Sequence, residues 1–242
     1  MRLVELSRSA HAGLRIRTQR IEATAAGQHL IPLVVSEFRK AAVQYPIVFA
    51  KSPEDGRFAP YALMGLAPEE NLFWSGTELD AAYVPLNVRR QPFYVGDNPD
   101  GAGVLCVDLE SPCLDESGTE VLVNPDGSDS DYLKNVLATL GQLVAGRAPT
   151  EQFVANLLSL DLLAPILLDI VLDDGTPLKV QGLYGLDEER FRQLPAAELS
   201  NLWSSGRLDL IYAVLLAGGQ IFNLIRLKNR RGALGRAWHS HD

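Results

Sequence analysis

Two arginines, Arg89 and Arg90, stand side by side in the stretch YVPLNVRRQPFY, residues 83–94. A guanidinium presents its N–H donors in a planar fork that fits a carboxylate or phosphate bidentately. In a chain of net charge −8 the pair is the first candidate for holding an anionic group, such as a peptide carboxylate. Tyr83 and Asp108 join it as ligand- or partner-binding candidates. With Glu110 these residues also make a dispersed constellation in which carboxylate and guanidinium would shift each other's charge balance. The local pattern offers a second account. Pro85 suits the first turn of a short helix, Val84 and Val88 share a face, and Pro92 stops it. Arg89 and Arg90 then stand at the helix C-terminus, where cations offset the dipole. Adjacent helical residues point about 100° apart, so one arginine faces solvent while the other turns inward to a carboxylate or a ligand.

Other chemistries find little support in the residues. There is no Walker-type phosphate loop, no dinucleotide-binding glycine fingerprint after a strand and no nucleophile elbow. None of His11, His29, His239 and His241 begins an H-x-D or H-x-E pair, so a facial iron triad has no origin here. HSHD, residues 239–242, carries two imidazoles and a carboxylate but sits at a chain end with little preorganisation. Cys106 and Cys113 lack the spacing of zinc or redox sites, and read as a buried strand cysteine and a loop thiol. No metal, cofactor or catalytic residue is expected. Asp169 interrupts an apolar strand, and alternation puts it on the solvent face.

The charge is unevenly spread. Residues 1–20 and 226–242 each carry five basic side chains and one acid, leaving twelve basic and 28 acidic side chains between them. An acidic body argues against nucleic-acid binding; the basic ends are solvated tails or lie against acidic surfaces. The start lacks the apolar core of a signal peptide. LDLIYAVLLAGGQIFNLI, residues 208–225, is broken by Asp209, Gln220, Asn223 and a glycine pair, which suggests a buried helix rather than a membrane span. A cytoplasmic location follows as the default.

The elements that must position these residues divide by character. Strands are expected at 14–18, 47–50, 59–65, 71–74, 93–95, 103–109 and 120–123, with a short helix from Ser36 to Val43. Helical stripes follow at 130–146 and, capped by Thr150, at 150–160. ILLDIVL and LKVQGLYG flank Asp173-Asp174-Gly175 as a β-hairpin. Helices are expected at 187–194 (capped by Asp187), 196–204 and 208–228, ahead of a flexible basic tail, 229–242. The fold class is mixed α/β, with a strand-rich N-terminal half and a helix-rich C-terminal half containing the hairpin. It forms one domain, or two lobes meeting near 124–130, where NPDGSDS otherwise reads as a turn.

Several segments resemble the SapC family of bacterial proteins: IPLVVSEFRKAAVQYPIVFA (31–50), YALMGL (61–66), NLFW (71–74), YVPLNVRRQPFYV (83–95), LCVDLESP (105–112), GLYGLDEERFRQL (182–194) and IYAVLLAGGQIFNLI (211–225). At IYAVLLAGG the chain departs from the family's pattern, which tends to place a histidine and a serine after the tyrosine. The family is named for a surface-layer gene cluster, and its members often neighbour TonB-dependent receptors, flavin halogenase-like proteins and cupin-like hydroxylases. The resemblance implies an accessory protein of a surface-layer, export or peptide-modifying system, with a protein or peptide partner. The alternative is an enzyme or catalytic subunit acting on a peptide or small anion through the dispersed arginine and carboxylate residues.

Overall fold

Short apolar runs cut by Gly, Pro and Asp give short strands, and long 3.6-residue stripes give the helices. The computed structural model describes residues 1–52, 55–97 and 103–239. In chain order the elements are β1 (Leu3–Glu5), β2 (Arg15–Ile16), β3 (Leu30–Pro32), α1 (Phe38–Ala41), β4 (Ile47–Lys51), β5 (Phe58–Leu63), α2 (Leu86–Arg89), β6 (Phe93–Asp97), β7 (Gly103–Asp108), β8 (Glu120–Val121), α3 (Asp131–Ser159), β9 (Leu163–Val171), β10 (Pro177–Leu186), α4 (Glu188–Arg192), α5 (Ala196–Ser204), α6 (Leu208–Gly218) and α7 (Ile221–His239). The mixed α/β class holds. The chain forms two compact units, and it enters each more than once.

The first unit takes Met1–Ala26, Trp74–Asp80 and Val84–Ala145. It contains the antiparallel sheet β1-β7-β6 and the two-stranded pair β2-β8. Ile16, Phe93, Val107 and Leu122 close its core against Leu133, Val136 and Leu140 of α3. Residues 124–130 are a turn inside this unit, closed by Asn124 N–H to the Ser128 carbonyl at 2.8 Å. Arg8 holds Asp129 bidentately, Nε and one Nη group donating to its two carboxylate oxygens at 2.6 and 2.9 Å.

The second unit takes Gly27–Phe73, Ala81–Tyr83 and Gly146–Asp242. Its sheet is antiparallel throughout, in the order β3-β5-β4-β10-β9. Helix α6 packs on β4 and β10. Phe38 meets Phe153 edge to face at 5.7 Å, and Tyr45 meets Phe73 at 4.8 Å. Gly146 is required by close approach: a Cβ there would fall 2.7 Å from Cβ of Val34.

Several local expectations change; the helix expected from Ser36 to Val43 is Phe38–Ala41 and the strand expected at 120–123 is Glu120–Val121. Residues 14–18 shrink to the two-residue β2, and 71–73 form a turn in which Asn71 Oδ1 accepts the Phe73 N–H at 3.0 Å. The two helices expected at 130–160 are one 29-residue helix that passes through Pro149. Thr150, expected as a cap, instead donates its hydroxyl to the Gly146 carbonyl at 2.6 Å and accepts the Val35 N–H at 3.0 Å. A proline removes one ladder bond, and here side-chain bonding and packing keep the flanking turns helical. The helix expected at 208–228 breaks at Gly219-Gln220, where the chain makes three-residue bonds to Leu216 and Ala217, and α7 then runs on through His239. The C-terminal three residues of HSHD lie outside the described residues.

Candidate binding site

The arginine pair resolves into two different residues. Helix α2 spans Leu86–Arg89 with Pro85 as its N-cap, and buries Leu86 and Val88. Arg89 is exposed, and Arg90 turns inward. Arg90 Nε donates to Asn87 Oδ1 and one of its Nη groups to the Phe93 carbonyl, both at 2.9 Å. The guanidinium lies 4.0 Å from the centroid of the Tyr94 ring. Burial opposes its charge and lowers its pKa from the ordinary arginine value, against a favourable contribution from Tyr94. The protein groups that face the inward arginine are thus an amide, a backbone carbonyl and an aromatic ring, rather than a carboxylate.

The other two candidates are engaged separately. Asp108 stands at the end of β7 in the first unit, where Oδ1 accepts the N–H groups of Arg2 at 2.8 Å and Glu110 at 3.1 Å. Glu110 pairs with the N-terminal ammonium at 2.8 Å. Tyr83 belongs to the second unit, and its hydroxyl donates to Glu37 Oε1 at 2.8 Å. Glu37 is 1% exposed, and its Oε2 accepts the Val34 N–H at 2.9 Å. The bond between Glu37 and Tyr83, 46 residues on, has no local signal in the sequence. Among the described residues no three His, Cys, Asp or Glu side chains gather as a metal site.

A different place in the second unit has the features of a binding site. β9 is the outer strand of the five-stranded sheet, nine residues long. Its register with β10 pairs Val171 with Pro177 and Asp169 with Lys179. Leu172 N–H bonds the Thr176 carbonyl beside the turn, and hydrogen-bonded and non-bonded pairs alternate in an antiparallel ladder. The pairs at 171 and 169 are therefore non-bonded ones, which agrees with Pro177 having no N–H to give. It follows that Leu167, Asp169 and Val171 direct their backbone N–H and C=O groups away from β10, toward the open edge. Leu167 and Val171 are 75% and 71% exposed. Asp169 is on the solvent face as expected, 3.4 Å from Lys179.

On the other face of the hairpin, Ile166 and Leu168 line a cavity of about 270 Å³. Ile47, Val48 and Leu183 of the sheet contribute to its wall, with Leu215 and Gly218 of α6 opposite and Glu188 as its one acidic residue. The volume is at the small end for ligand pockets and suits one large apolar side chain. Sequence reasoning found the hairpin and its exposed carboxylate. It missed the cavity because neither strand order nor the seat of α6 is written in periodicity.

No curated protein and no solved structure matches the chain. The family model described as SapC matches residues 6–224. That span takes in most of both compact units, β9 with its cavity, and the Arg90 turn. The match covers far more than half of the sequence, and the chain belongs to the SapC family.

Proposed function

We propose that this protein is an accessory binding protein that holds a partner polypeptide as an added strand along β9, with one apolar side chain of that partner in the adjoining cavity. The observation that carries the reading is the open edge itself. A row of backbone donors and acceptors with no partner among the described residues, on a long apolar outer strand, is matched by another polypeptide backbone, since main-chain bonds supply affinity and side-chain pockets supply selectivity in strand addition. An added strand would present alternate side chains on the Ile166 and Leu168 face, beside the cavity. A cytoplasmic role in a surface-layer, export or peptide-modifying system suits such chemistry, because each of those systems handles extended chains.

Peptides selected by the purified protein from a random display library test the reading, with affinities measured by calorimetry. Asp169→Pro removes an outward N–H without touching the β10 ladder, and should weaken selected peptides by about fivefold to tenfold, the loss of one hydrogen bond and added crowding. Asp169→Ala keeps the N–H and should bind like the parent. Gly218→Leu, where a Cβ meets nothing within 4 Å, should obstruct the cavity and change which peptides are selected. Equal binding by Asp169→Pro and Asp169→Ala would overturn the proposal.

A further inference from the structure

The last helices leave an unusual surface in water. Residues Leu208–Ala233, read through the break at Gly219-Gln220, are long and apolar enough to cross a membrane, yet little more than a quarter of their apolar stretch is buried in the protein. Ile211, Val214, Ala217 and Leu224 are packed inward. Leu216 and Phe222 are about three-quarters exposed, Tyr212 about half, and Trp203 of α5 also three-quarters. One side of the helix pair is already committed to the fold: Asp209 pairs with Arg39, and Gln220 donates to the Val43 carbonyl at 3.1 Å. Only the other side is open, so these helices can lie along an apolar surface and cannot be surrounded by one.

Charge identifies that surface. Helix α7 carries Arg226, Lys228, Arg230, Arg231 and Arg236 and no acidic residue. Lys228 is taken up by Glu70, while Arg226 and Arg230 are exposed one helical turn apart, one and two turns beyond Phe222. Exposed Tyr, Leu and Phe on α6 and α7 followed by arginines, with Trp203 on the adjoining α5, is the composition of a surface lying at a lipid–water interface, with aromatic rings at headgroup level and cations on anionic phosphates. We propose that α6 and α7 dock the protein in-plane on an anionic membrane surface, an association independent of β9.

Co-sedimentation with vesicles of phosphatidylcholine alone, or mixed with phosphatidylglycerol, tests this. Binding is expected to the mixed vesicles and to fall with added salt. Arg226→Gln with Arg230→Gln should lower the partition coefficient about 25-fold, roughly fivefold for each charge. Leu216→Glu with Phe222→Glu should lower it by roughly tenfold or more, with the circular dichroism of the soluble protein unchanged. Tryptophan emission should shift to the blue on binding, and Trp203→Phe should reduce the shift. Failure to sediment with anionic vesicles, or equal binding to neutral ones, would overturn the proposal. Self-association abolished by Leu216→Glu, without vesicle binding, would assign the face to a second copy instead.

Discussion

Replacing Arg90 and Arg89 by alanine, one at a time, separates the two arginines quantitatively. Arg90 makes two charge-assisted bonds, to Asn87 and the Phe93 carbonyl, and stacks on Tyr94. Hydrogen bonds to charged groups contribute about 1.5–3 kcal/mol each, and a half-buried guanidinium–ring contact about 0.5–1 kcal/mol. Rehydration of the burial-strained guanidinium on unfolding works in the opposite direction. The net loss expected for Arg90→Ala is about 2–4 kcal/mol. For a chain of 242 residues that lowers the thermal midpoint by about 5–15 °C. Arg90→Lys keeps the charge but not the fork and should recover less than half of the loss. Arg89→Ala should leave the midpoint nearly unchanged, since the side chain is exposed. Urea and thermal unfolding followed by circular dichroism give all three values. Equal midpoints for the two alanine variants would refute the staple described for Arg90, and so would full recovery with lysine.

Three further outcomes follow from local geometry. Gly65→Ala would set a Cβ 2.2 Å from the Glu70 carbonyl oxygen; it should destabilise by several kcal/mol, on the order of 2–4, whereas Gly56→Ala, at φ +69° with open space around it, should cost only about 1 kcal/mol, as compared by urea titration. Burial raises the thiol pKa of Cys113, so its reaction with a disulfide reagent at mildly alkaline pH should be slow in the folded protein and rapid in urea; fast labelling without denaturant would contradict its buried position. Asp115 is held below the usual carboxylate range by Ser117 hydroxyl and backbone bonds, aided by Arg20 and Arg17, and Asp129 chiefly by its bonds to Arg8. With folded pKa values below the unfolded ones, their contribution is intact above about pH 4 and is lost as pH falls through the folded values. It is modest because both face solvent. Asp115→Asn with Asp129→Asn should lower stability modestly at neutral pH and flatten the acid limb of a stability–pH curve, so that variant and parent converge at low pH.

The parts of the fold that were legible in sequence are those set by local chemistry. Pro85 and Pro92 bracketed α2, Asp187 capped α4 by accepting the Arg190 N–H, and Asp173-Asp174-Gly175 turned the β9–β10 hairpin with Gly175 at φ +83°. Where distant residues decide, the reading failed. Pro149 predicts a helix boundary from its missing N–H, but Phe153 against Phe38 and Thr150 against Val35 keep α3 continuous. Periodicity gave Arg89 and Arg90 different directions without saying which was buried, because that depends on where the Phe93 carbonyl and Tyr94 ring lie. Tyr83 was grouped with the arginines as a ligand- or partner-binding candidate, and its hydroxyl bonds Glu37, a contact set by the fold. The candidate site was legible only as an apolar hairpin with one exposed carboxylate; its open edge follows from strand order, which is a property of the whole sheet.

Residue-resolved amide hydrogen exchange along β9 tests the central account most directly. In the free protein the amides of Leu168 and Ile170, directed at β10, should be protected, while those of Leu167, Asp169 and Val171 exchange rapidly. Saturation with a peptide selected from the library should slow Asp169 and Val171 together and leave the inward amides as they were. Uniform protection along β9 before peptide is added, or protection gained elsewhere and not at Asp169 and Val171, would contradict the strand-addition account.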